Sequence, residues 1–283
     1  MKDYVSGLAS TVIFLFEEGG QFPIGTAFIV GYPVPGISDS IITLIVTAKH
    51  VVGDRDKLYG RFSGKVGHLP TSVIYDLSDL RNKGDVWEHT DYGVDLLVFR
   101  TPHFEGAEYH AVPIKLIASR DSYSDEDVKA TDRVIFPSLL VNFMGTSRNY
   151  PVIRDGSIAL IPNELVPLKY EVGSKLIETN QQVLLIDATS IQGASGSPLF
   201  LWPGPRFKGE TFQLGPVQTL LLGVMHGFYP AIPREIIDVQ VSGIIPAFAE
   251  NSGIAIIFPS WKLLEILERN EVVERMREVT EGK

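Results

Sequence analysis

Residues 193–198 read Gly193-Ala194-Ser195-Gly196-Ser197-Pro198. A serine between glycines marks a tight turn that presents a hydroxyl. Small neighbours also let backbone N–H groups approach a developing oxyanion, where side chains would obstruct them. A serine hydroxyl is a poor nucleophile until an imidazole takes its proton. That imidazole needs a carboxylate to fix its tautomer. The turn therefore directs attention to histidine and aspartate elsewhere in the chain.

Two stretches supply them. Ile45-Val46-Thr47-Ala48-Lys49-His50-Val51-Val52 runs as a strand and delivers a histidine at its end. Asp91-Tyr92-Gly93-Val94-Asp95-Leu96-Leu97-Val98-Phe99 places an aspartate at the start of an apolar run. Each is weak alone, because histidines after strands and aspartates at turns are common structural residues. Ser190 and Ser197 compete with Ser195, which alone lies between Gly193 and Gly196. Asp91 competes with Asp95, which directly opens the apolar strand. His89 lies near the acid in sequence only. His68, His103, His110 and His226 show no metal-ligand spacing, and neither metal nor cofactor is expected. Base, acid and nucleophile follow in the order His50, Asp95, Ser195, as in the chymotrypsin fold and unlike subtilisin or the α/β-hydrolases.

Around these stretches short apolar runs recur, bounded by Gly, Pro, Asp or Asn. They are residues 11–16, 26–30, 41–46, 95–99, 134–136, 158–161, 183–186, 220–224 and 254–258. Each has strand length, and no helical pattern of 10–15 residues separates them. Antiparallel barrels or a sandwich are predicted, not βαβ units. Residues 69–92 and 203–218 read as loops. From Ser260 the chain turns amphipathic, with Leu263, Leu264, Leu267, Val272, Val273 and Met276 near helical spacing. One terminal helix capped by Ser260 is predicted.

The 283 residues amount to about two domain-sized units. The polar stretch 117–133 reads as the link, giving halves 1–120 and 121–283. Cysteine is absent. That excludes disulfides, thiolate metal sites and a cysteine nucleophile. The formal net charge of −9, without any basic run, argues against nucleic-acid binding. No stretch reaches the ~20 apolar residues of a membrane span. Residues 5–16 read as leading into a first strand, not as a secretory segment, so a soluble cytoplasmic protein is expected.

The sequence resembles the trypsin-like serine peptidases, most closely bacterial forms related to HtrA-type proteases. Besides the three stretches above, Gly25-Thr26-Ala27-Phe28-Ile29-Val30 resembles an early strand of that family. Asp187-Ala188 precedes the nucleophile turn at the family's distance. Leu222-Gly223-Val224-Met225-His226-Gly227 resembles its substrate-lining strand, and residues 253–259 its last strand. The resemblance spans about residues 9–270. It implies an all-β fold of two antiparallel six-stranded barrels with a C-terminal helix. The first barrel would carry His50 and Asp95, and the second Ser195. The implied roles are general base for His50, orienting acid for Asp95 and nucleophile for Ser195. The N–H groups of Gly193 and Ser195 would form the oxyanion hole.

Departures from the pattern carry further expectations. Ala194 stands where digestive enzymes carry the aspartate that binds a newly cut N-terminus, so no such maturation is expected. No PDZ-like domain is expected after the helix. Thr189, Ser190, Met225, His226 and Gly227 are the implied substrate-binding residues. No acid stands at the pocket floor, so cleavage after Lys or Arg is disfavoured. His226 reads either as a substrate-reading residue or as a packing one. Its three-residue offset from Gly223, against two in relatives that read acidic or amide side chains, weakens the first. The function implied is a serine endopeptidase acting on protein or peptide substrates through an acyl-enzyme. The alternatives are a silent binding module, or a latent protease switched on by a partner through its loops or C-terminal helix.

Overall fold

In the computed structural model, which describes residues 2–34, 36–37, 40–65, 70–123, 128–146, 148–188, 193–208, 211–213, 219–230 and 251–282, two largely antiparallel β-layers form the framework. The first layer contains β1 (Val12–Phe16), β2 (Pro23–Pro33), β3 (Ile41–Thr47), β4 (Lys57–Gly64), β5 (Thr71–Asp76), β6 (Val86–Glu88), β7 (Leu97–Thr101), β8 (Ala107–Glu108) and β9 (Val112–Pro113). Its order is β5-β4-β1-β2-β3-β7-β6, with β8 on β4 and β9 on β2. It is a curled sheet and not a six-stranded ring. The second layer uses β10 (Arg133–Ser138), β11 (Val152–Leu160), β14 (Leu184–Asp187), β15 (Pro198–Leu201), β18 (Leu221–Pro230) and β19 (Asn251–Pro259). These close into a six-stranded barrel in the order β10-β11-β14-β19-β18-β15. Two ribbons stand apart, β12 (Val166–Val172) with β13 (Lys175–Gln181), and β16 (Arg206–Lys208) with β17 (Thr211–Gln213).

Most of the apolar runs become strands with both faces buried, residues 158–161 being the exception. In β1, Ile13 and Leu15 enter the interior of the first sheet, while Val12, Phe14 and Phe16 point the other way into a second cluster. Alternation along β2 sends Ala27 and Ile29 one way and Phe28 and Val30 the other. In the barrel, Val134 and Phe136 line the interior while Ile135 faces outward. The outward faces of both layers meet, with Phe14, Phe28, Val46, Ile135, Phe200 and Phe258 in one shared core. Without disulfides, this packing holds the halves together.

The terminal segment is two helices, not one. They are α4 (Ser260–Leu267) and α5 (Asn270–Glu281), with the break at Glu268-Arg269. Earlier helices are α1 (Lys2–Ala9), α2 (Lys49–Val52) and α3 (Leu77–Asn82). Ser260 does not cap α4. Its hydroxyl donates to the Ala118 carbonyl at 2.7 Å, and Pro259 occupies the cap position. Leu263, Ile266, Leu267, Val272 and Met276 pack into the shared core. Arg275 of α5 and Arg100 of β7 both reach the buried Asp85 carboxylate, at 2.9 and 2.7 Å. The stretch read as a loop over 69–92 instead holds β5, α3 and β6. In residues 203–218, a short hairpin of β16 and β17 replaces part of the expected loop.

Candidate active site

The seam between the layers gathers His50, Asp95 and Ser195. Strand β3 ends at Thr47, and the single turn α2 carries His50. Asp95 precedes β7, which pairs with β3, so sheet pairing brings acid and base together. The bond between them is double. The His50 backbone N–H donates to Asp95 Oδ1 at 2.8 Å, and His50 Nδ1 lies 2.6 Å from Asp95 Oδ2. Lys49 supports this loop from beneath. Its buried ammonium donates to the Tyr92 carbonyl at 2.7 Å and lies 3.7 Å from Glu88. Asp91, the rival acid, instead accepts from Gly93 N–H and Gln181 and closes a turn.

The nucleophile turn leaves β14 and enters β15. Gly193 and Gly196 adopt φ values of +94° and +83°, which side chains disfavour. A Cβ on Gly196 would lie 2.0 Å from the Thr26 carbonyl. Ser197, the rival nucleophile, is fully buried, and its hydroxyl has no hydrogen-bond partner among the described residues. The Gly193 and Ser195 N–H groups have no acceptor among the described residues. The Ser195 hydroxyl donates to the His226 carbonyl at 2.9 Å, and, among the described residues, not to His50. Thr189 and Ser190 lie outside the described residues.

Thr26 is a site residue that sequence reasoning passed over as one letter of a strand motif. It is fully buried and joins the two layers. Its N–H donates to the Ser195 carbonyl at 3.0 Å. Its hydroxyl donates to the Gly193 carbonyl at 2.7 Å and accepts from Leu139 N–H at 2.9 Å. Its carbonyl accepts from Thr47 at 2.8 Å. Thr26→Val keeps the shape and strands two buried backbone groups. A stability loss of about 2–4 kcal/mol is expected, read from denaturant unfolding.

His226 turns toward the acid. Its Nδ1 lies 2.5 Å from Asp95 Oδ2, the oxygen that His50 also uses. Its ring packs against Tyr170 and Phe258, at 4.7 and 5.6 Å between centroids. This placement ties the side chain to the acid. Met225 is buried, whereas a Cβ on Gly227 would meet open space. Tyr170, also unforeseen, comes from the β12–β13 ribbon and donates to the Gly93 carbonyl at 3.0 Å.

Electrostatics favour an ion pair when His50 takes a second proton. Burial opposes the charge on Asp95, but His50, His226 and their hydrogen bonds outweigh it. The Asp95 carboxyl is held well below the usual carboxylate range. Burial likewise opposes the His50 imidazolium, but Asp95's charge and hydrogen bond prevail and raise its pKa. His50, Asp95 and His226 also present a metal-like donor set, with ligand atoms within 4.8 Å of one another. The Nδ1–Oδ2 separations of 2.5 and 2.6 Å are hydrogen-bond distances. Ligand atoms on a tetrahedral zinc ion with ~2 Å bonds would stand about 3.3 Å apart. The cluster as it stands shares protons. No helix among the described residues is long and apolar enough to cross a membrane.

No protein-family model and no curated protein matches the sequence. Solved structures do. The MamO protease domain from Magnetospirillum magneticum superposes with a TM-score of 0.53 at 14% identity, over 92% of this chain and 97% of that one. The HtrA-type protease AlgW, solved with a decapeptide, gives 0.47 at 14% identity, over 99% of this chain and 67% of that one. The first likeness shows that this chain shares the fold of that protease domain.

Proposed function

We propose that this chain is a serine endopeptidase. The observation carrying the reading is the buried Asp95 carboxylate, which holds His50 by two hydrogen bonds beside the glycine-flanked Ser195 turn. Ser195 Oγ attacks the scissile carbonyl carbon as His50 Nε2 takes its proton. Asp95 stabilises the resulting imidazolium. The oxyanion points to the N–H groups of Gly193 and Ser195. Collapse breaks the C–N bond, and His50 returns the proton to the leaving amine. Water, deprotonated by the same imidazole, then releases the acyl group and restores Ser195.

Residues 1–120 and 121–283 form one catalytic unit in this reading, because the site draws on both layers. Met225, His226 and Gly227 border the substrate cleft, and the family resemblance adds Thr189 and Ser190 to the substrate-binding set. His226 contributes its backbone, and Gly227 leaves space for a bound chain. Protein or peptide segments are the substrates, and the chain works in the cytoplasm, which its lack of cysteine suits. Peptide-library profiling tests the specificity. Cleavage after small or medium aliphatic residues is expected, because no acid stands at positions 189 or 190. Cleavage mainly after Arg or Lys would contradict it. The hydrogen bond from Ser195 to the His226 carbonyl favours a second reading, a resting form in which the hydroxyl is parked until substrate or a partner arrives.

A further inference from the structure

His226 is the extra residue of a β-bulge. Met225 pairs with Ile257 and Gly227 with Ile256, leaving His226 unmatched on β18. A bulge breaks strict alternation and re-aims a side chain. Here one residue reaches two members of the site. Its carbonyl accepts from the Ser195 hydroxyl, and its Nδ1 shares Asp95 Oδ2 with His50 Nδ1. The two rings meet edge to face, 5.2 Å between centroids. The His226 side chain is only 10% exposed.

One carboxylate oxygen can accept two N–H bonds when both neutral imidazoles carry their proton on Nδ1. Two such rings and the carboxylate sum to one negative charge. A first added proton neutralises the cluster, and a second leaves it positive. Two imidazolium rings in contact repel, so the protons bind as a coupled pair. The groups facing the His226 ring are His50 from α2, Asp95 ahead of β7, Tyr170 from β12 and the apolar Phe258 from β19. Behind Tyr170 stand Asp91, Tyr92 and Glu88. Among these groups, only the two histidines can become cationic.

We propose that His226 is a positioning residue that holds Asp95 through Nδ1 and, on Nε2, a second proton site competing with His50 for the charge of that carboxylate. Its kinetic consequence rests on the peptidase reading, and its proton binding does not. A proton on His226 draws on the charge that would stabilise the His50 imidazolium. With that proton in place, Ser195 is no longer activated.

Two variants separate holding from protonation. His226→Asn places an amide nitrogen where ring Nδ1 stood and keeps a donor, but takes up no second proton. His226→Leu removes the donor. The rate of labelling by a fluorophosphonate is measured on the full chain from about pH 4 to 9. In the wild type, the acid limb of the log rate is expected to steepen from unit slope to a slope of about two. In the Asn variant, it is expected to stay at unit slope. The Asn variant should also retain more of the plateau rate than the Leu variant, with circular dichroism unchanged in both. Unit slope throughout in the wild type, or the same slopes in wild type and Asn variant, would overturn the proposal. Histidine 15N NMR on Ser195→Ala protein reads the same coupling without catalysis. A two-phase His50 titration that becomes single-phase with Asn at 226 is expected, and identical His50 curves would overturn the proposal. A two-phase curve in a chain that never labels would overturn the peptidase reading alone.

Discussion

Asp95→Asn is expected to lower kcat by about 10⁴-fold while the chain stays folded. Three N–H groups converge on this carboxylate, from the His50 backbone, the His50 ring and the His226 ring. Both carboxylate oxygens accept. An asparagine offers one accepting oxygen and an NH₂ group. If the oxygen stays with the backbone N–H, the amide nitrogen faces both imidazoles as a donor. Each ring must then expose a lone pair at Nδ1 and carry its proton on Nε2. His50 in that tautomer cannot accept the Ser195 proton. Substrate binding needs no such proton, so KM should move far less than kcat. Steady-state kinetics on a peptide identified by library profiling measures both. A kcat loss below about tenfold would remove Asp95 from the mechanism.

The second large effect concerns stability. Asp85 is fully buried and accepts from Arg100 and Arg275, so a single carboxylate ties α5 to the first sheet. Asp85→Ala takes the shared counter-charge from both guanidinium groups, leaving Arg275 its ion pair with Glu278 at 3.0 Å. Breaking a buried pair in this way costs about 3–5 kcal/mol. Because both arginines keep some solvent contact, the lower end of that range is expected. Arg275→Ala should cost less, since Arg100 still neutralises Asp85. Denaturant unfolding of the single and double variants measures the coupling between Asp85 and Arg275. A coupling near zero would mean that α5 is held by Val272 and Met276 alone.

Most strands buried on both faces were legible in the sequence, although the fully buried Pro198–Leu201 was not. All nine apolar runs overlap strands, because a strand between two cores reads as an uninterrupted apolar run. Strands with one solvated face escaped. Lys57–Gly64 and Val166–Val172 alternate between buried and exposed positions, so no apolar run announces them. The missed β12–β13 ribbon is also why Tyr170 was not expected beside His226. The α4–α5 break was invisible because both helices follow one apolar stripe across Glu268-Arg269. Within the site, the residue types and their order pointed to His50, Asp95 and Ser195, which the structure brings to one seam. Thr26 did not stand out, since its importance lies in bonds to residues more than a hundred positions away. The contact between His226 and the acid was not foreseen, because a bulge changes the phase of the strand and sequence patterning does not reveal bulges.

The central claim is that Ser195 is a nucleophile activated by His50. Labelling with a fluorophosphonate probe followed by intact-mass analysis tests it directly. The wild type should gain one covalent adduct, mapped to Ser195. Ser195→Ala should gain none, and His50→Ala should label slower by at least about 10³-fold. A wild type that stays unlabelled, or an adduct that persists in Ser195→Ala, would contradict the account.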